Sequence, residues 1–108
     1  ITVVGAKVAM QFLDDFVHQP FQRQLVKSGE KLDLGNGHVL EFVSAPNLHW
    51  PDTILTYDHK TQTLFTCDVF GMHYCDDQTY DEDLALLDAD YKTYYDCLMG
   101  PNARSVLA

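Results

Sequence analysis

Basic residues are scarce in this chain. Lysine and arginine number 7 against 16 aspartates and glutamates, for a formal net charge of −9. So acidic a surface repels phosphate backbones and anionic headgroups, so neither nucleic acid nor a membrane surface is expected as a partner. No run approaches the ~20 apolar residues of a membrane-spanning helix. No secretory or transit signal is read at the start, and Ile1 reads as mid-strand, so the chain is expected to be a piece of a longer protein. The 3 cysteines, Cys67, Cys75 and Cys97, form no CxxC pair. An odd, irregular set fits neither a disulfide framework nor a zinc knuckle; reduced thiols in a cytoplasmic compartment are the expectation.

What is present suffices for one domain. The 108 residues are 46% hydrophobic and 21% charged, a composition that buries a core rather than staying disordered. Ile1-Thr2-Val3-Val4-Gly5 reads as a buried strand end. Val8, Phe12, Leu13 and Phe16 follow at helical spacing, with His18 expected in the last turn and Pro20 closing the segment. Two hairpins come next. Lys31–Leu34 and His38–Val43 alternate around Gly35-Asn36-Gly37, with His38 expected to be exposed. Thr53–Tyr57 and Thr63–Cys67 flank a polar loop carrying His59, read as solvated surface.

The last third reads as helical. Asp81-Glu82-Asp83 opens a helix whose dipole favours carboxylates there. Tyr91, Tyr94, Tyr95 and Leu98 form its apolar stripe, Gly100-Pro101 breaks it, and Asn102 opens another helix running to Ala108. Half the acids fall between Asp76 and Asp96, but the spacing and glycine of an EF-hand are absent, so a solvated face is expected. The order of elements implies a layered α/β or α+β fold.

The chemistry concentrates between Ala45 and Tyr74. His49 and Asp52 lie in a turn shaped by Pro46 and Pro51; Asp68 and His73 lie in a turn after the next hairpin. The hairpin brings its two ends together, so all four should converge at one rim of a sheet, where sites tend to be built. Imidazole with carboxylate suits iron, zinc or manganese, and a carboxylate can bridge two ions. Asp68 is the candidate bridge and His49 a terminal ligand; Asp52 and His73 are candidate outer groups that orient ligands or relay protons. A capping aspartate after a proline accounts for Asp52 equally well. By alternation Cys67 should point into the core, away from Asp68.

His49-Trp50-Pro51-Asp52, followed by Leu64-Phe65-Thr66-Cys67-Asp68-Val69-Phe70-Gly71-Met72-His73, closely resembles the flavodiiron proteins. The lead-in Phe42–Pro46 and the tail Tyr94–Arg104 extend the likeness over essentially the whole chain, the tail most like multidomain members from oxygenic phototrophs. The resemblance implies the C-terminal part, residues 1–108, of a metallo-β-lactamase-like diiron domain, an incomplete αββα sandwich without its flavodoxin-like FMN domain. It implies His49 and Asp68 as iron ligands and His73 as a neighbour that is not normally a ligand. The family's His-x-Glu-x-Asp segment and its last ligand histidine do not occur here. The implied parent activity is reduction of dioxygen to water, or of nitric oxide to nitrous oxide. Its irons are re-reduced by FMN in a head-to-tail homodimer fed by an electron-donor protein or NAD(P)H. The isolated segment is expected to be inactive. Two other readings use the same residues differently: a dinuclear zinc hydrolase of metallo-β-lactamase fold, and a metal-free structural or interaction module.

Overall fold

The computed structural model describes residues 1–80 and 82–107. Asp81, part of the expected acidic helix start, and Ala108, the expected end of the last helix, lie outside the described residues.

The β-branched run forms strand β1 (Thr2–Gly5), and helix α1 (Lys7–Phe16) crosses over to β2 (Gln22–Leu25), which pairs with β1 in parallel. Only Gly5 of β1 is buried, so the expected buried strand end is a partly open edge. The helix ends at Phe16, capped by the Val17 N–H donating to Leu13 O. His18 therefore stands beyond the last turn.

Four strands then form an antiparallel meander: β3 (Lys31–Gly35), β4 (His38–Ser44), β5 (Ile54–Asp58) and β6 (Thr63–Phe65). Gly35, Asn36 and Gly37 all have φ between 53° and 83°. Only glycine, and asparagine at a small penalty, takes that left-handed backbone readily, so the turn dictates these residue types.

Helix α2 (Leu84–Tyr94) starts where the Asp83 side chain accepts from Ala85 N. At Tyr95–Met99 the backbone widens into a π turn, then tightens through Gly100–Asn102 into the short helix α3 (Ala103–Val106). Ala45, Leu48, Val69, Tyr94 and Met99 form a buried cluster, with Leu55, Met72, Tyr95 and Leu98 packed around it. The cluster thus joins the loop before β5, the loop after β6 and the C-terminal helices.

The layer is open. Its radius of gyration is 16.1 Å, against ~13 Å for a closed domain of this length. Phe16, Leu25, Trp50, Phe65 and Leu86 all stand more than half exposed among the described residues. No described helix is long and apolar enough to cross a membrane.

Two histidines tie β4 to β5, and His38, expected to be exposed, is partly buried. His38 Nδ1 lies 2.8 Å from Asp58 Oδ2, and Asp58 is buried. His59 is exposed as expected, but its Nε2 lies 2.7 Å from Glu41 Oε2. Burial disfavours the Asp58 carboxylate, but His38, the Thr61 hydroxyl and the Lys60 N–H together outweigh it and bring the pKa down to about 2. A carboxyl depressed on folding stabilises above its unfolded pKa of ~3.9, and that stability drains as pH falls toward the folded value. Melting temperature should therefore fall between about pH 4 and pH 2, and His38→Ala should move that decline upward in pH. An acid limb identical in the variant and the parent refutes the coupling.

Candidate metal centre

The loop from Ala45 to Thr53 is closed on itself. Ala45 N donates to Thr53 O at 3.0 Å, Asn47 N to Trp50 O at 2.8 Å, and Thr53 N back to Trp50 O at 3.2 Å. Asn47 takes a left-handed φ of 65°, and Leu48 anchors the loop in the core. The result holds His49 half-buried at the rim while leaving Trp50 60% exposed.

The second loop follows β6. Cys67 adopts φ 50°, an uncommon conformation for a side chain of its kind, and is exposed. This corrects its expected place in the core: the strand has already ended at Phe65, so alternation no longer applies. Its Sγ lies 3.7 Å from Ile54 O. Val69 N donates to Thr66 O and Gly71 N to Asp68 O, winding the next residues into tight turns that seat Val69 in the core and leave the Asp68 side chain 62% exposed.

The two loops meet. His49 Nε2 lies 3.6 Å from Asp68 Oδ2, at the wall of a cleft of about 430 Å³ that His73, Met72, Tyr94 and Leu98 also line. This separation exceeds a hydrogen bond. It suits two donors flanking one cation, since ligands at ~2.0–2.2 Å from an ion stand up to ~4 Å apart. The imidazole–carboxylate set fits iron or zinc chemically. No group of three or more potential ligands gathers among the described residues, so a complete site needs donors from elsewhere.

Three of the four expected residues share the cleft. Asp52 does not: it lines a neighbouring, largely apolar cavity of about 700 Å³ between α1 and the start of β5, with Phe12, Trp50 and Ile54. Asp68 borders both cavities.

Sequence reasoning missed Tyr94 as a site residue, placing it only in an apolar stripe. It is buried, its hydroxyl donates to the Asp68 backbone O at 2.9 Å, and the His73 ring meets its ring edge-on at 5.4 Å. Burial, with the Asp68 charge adding to it, raises the pKa of the Tyr94 hydroxyl, which keeps it a donor. A tyrosine 26 residues from the loop it binds leaves no local signal.

Residues 1–106 match the family described as ODP family beta lactamase. The chain belongs to this family. It is 74% identical, over its full length, to diflavin flavoprotein A 1 of Synechocystis sp., and 79% identical to a Nostoc sp. relative named in the same series. It spans 19% of the length of each. Among solved structures, the metal-soaked Flv1 flavodiiron core from Synechocystis sp. superposes with a TM-score of 0.91 at 36% identity, over 97% of this chain and 27% of that one. Rubredoxin oxygen:oxidoreductase from the anaerobe Desulfovibrio gigas superposes with a TM-score of 0.89 at 23% identity, over 98% and 27% respectively, and shows the shared fold. The mixed helix-and-sheet layer is thus that of the flavodiiron metallo-β-lactamase-like core, as the sequence resemblance implied.

Proposed function

We propose that this chain is the C-terminal part of a metallo-β-lactamase-like diiron domain in a flavodiiron oxidoreductase, its parent reducing dioxygen to water or nitric oxide to nitrous oxide. The observation that carries the proposal is the approach of His49 Nε2 to Asp68 Oδ2 in a chain of this family. The relatives' names, diflavin flavoprotein and flavodiiron core, support the redox reading.

His49 and Asp68 are the residues that would hold iron, Asp68 with two oxygens for bridging. Bound iron supplies a redox-active Lewis acid for a diatomic gas, re-reduced by FMN from a flavodoxin-like domain. Dioxygen takes four electrons and four protons to give two waters; two nitric oxides take two of each to give nitrous oxide and water. A donor protein or NAD(P)H would supply the electrons, and a head-to-tail homodimer is the expected assembly.

The chain's own residues do the rest. His73 lines the cleft and is the proton-handling candidate. Asp52 lines the apolar cavity that Asp68 also borders and is the candidate for orienting it. The open apolar faces of the layer are to be covered by the rest of the domain, so the segment alone is inactive.

The deciding experiment uses the longer parent protein, reduced anaerobically and mixed with dioxygen or nitric oxide. Rapid flavin reoxidation with consumption of at least one gas is expected. Flavin reoxidation no faster than that of free FMN, with both gases, refutes the proposal.

A further inference from the structure

Tyr94 touches the Asp68–His73 loop at three points. Its hydroxyl donates to Asp68 O, which Gly71 N also reaches at 3.1 Å. Its ring meets His73 edge-on, with an interplanar angle of 85°. Its third contact is with Gly71 itself. A Cβ built on Gly71 would lie 2.9 Å from Tyr94 Cζ, 3.0 Å from the hydroxyl and 3.2 Å from Asp68 O. The phenol therefore occupies the space that any other residue at 71 would fill.

The source of this placement is the helix end. Tyr94 closes α2, and the π turn Tyr95–Met99 begins at the next residue. Tyr94 and Leu98 both line the cleft while Met99 is buried in the cluster beneath. Single-turn π segments recur at functional sites.

We propose that Tyr94 is a positioning residue: interlocked with Gly71, it fixes the backbone of Asp68 and so sets where the carboxylate stands relative to His49. This rests on the metal-site reading above. It acts through the loop and requires no contact between the phenol and a bound ion.

The test uses the longer parent protein stripped of metal, with Co2+ as probe. Chelator competition gives its affinity, and absorption in the visible gives its ligand geometry. Tyr94→Phe keeps the ring and should weaken Co2+ binding ~10-fold, in the range typical for groups that orient ligands, with shifted absorption bands. Gly71→Ala should do more, because its methyl displaces the ring. In a Tyr94→Leu background, where the obstructing phenol is gone, Gly71→Ala should add little. Hydrogen exchange of the peptide covering residues 68–73 should quicken in Tyr94→Phe whether or not metal is present.

Parent affinity, bands and exchange in Tyr94→Phe overturn the proposal, as does an equal effect of Gly71→Ala in both backgrounds. A His49→Ala control separates the two ideas. If it keeps parent Co2+ affinity, the metal reading fails, and exchange at residues 68–73 still decides whether Tyr94 holds the loop.

Discussion

Replacing His49 by alanine, or Asp68 by asparagine, in the longer parent protein is expected to strip it of iron and reduce gas turnover by at least ~100-fold, comparable to losing a group that acts directly in catalysis. The two donor atoms stand 3.6 Å apart, close enough to share one ion. Asparagine keeps the shape of Asp68 but removes the charge and the second anionic oxygen that a bridging role needs. Neither residue belongs to the buried cluster, and the Asp68 side chain is largely exposed, so the metal-free variants should melt close to the metal-free parent. Metal analysis per chain, with melting curves of the metal-free proteins, separates loss of ligation from loss of fold. Stoichiometric zinc without iron in the parent moves the assignment to a hydrolase using the same pair. Variants with parent metal content and activity leave only the structural or interaction reading.

The convergence behind that prediction was legible in the sequence because it follows from topology. Any β5–β6 hairpin brings the loop before it to the loop after it, so His49 and Asp68 had to be neighbours once the hairpin was recognised. The register that joins Asp58 to His38 was not legible. It depends on which residues of β4 and β5 stand opposite, here five pairs from Leu40–Asp58 to Ser44–Ile54. Strand β2 reads Gln-Arg-Gln-Leu with every residue exposed, so it carries no apolar alternation; it is held by its pairing with β1 and by the Arg23–Asp14 ion pair to α1. Cys67 misled because alternation was carried two residues past the strand's end. Asp52 was placed at the same rim by its short distance along the chain from His49; it lines the adjoining apolar cavity, which Asp68 also borders. The π turn has no composition of its own: Tyr95-Asp96-Cys97-Leu98-Met99 reads as ordinary helix, and the wider winding leaves no mark in the sequence.

Met99→Ala is the second large effect. Met99 is 1% exposed and lies in the cluster with Ala45, Leu48, Val69 and Tyr94. Truncating a fully buried methionine costs about 2–5 kcal/mol, from lost burial and the cavity left behind. Set against the ~5–15 kcal/mol that holds a whole domain, this is enough to loosen the region cooperatively. The position of the cluster makes the variant more than a stability probe, because Leu48 carries the His49 loop and Val69 carries the Asp68 loop. Metal retention should therefore fall together with melting temperature. Met10→Ala supplies the comparison. Met10 is nearly as buried, at 3% exposed, but packs from α1 against Gly5 and lies outside the cluster. A similar loss of stability is expected there, with metal affinity of the folded protein close to the parent's. Equal losses of affinity in the two variants would mean that general loosening, rather than the shared footing of the two loops, controls the site.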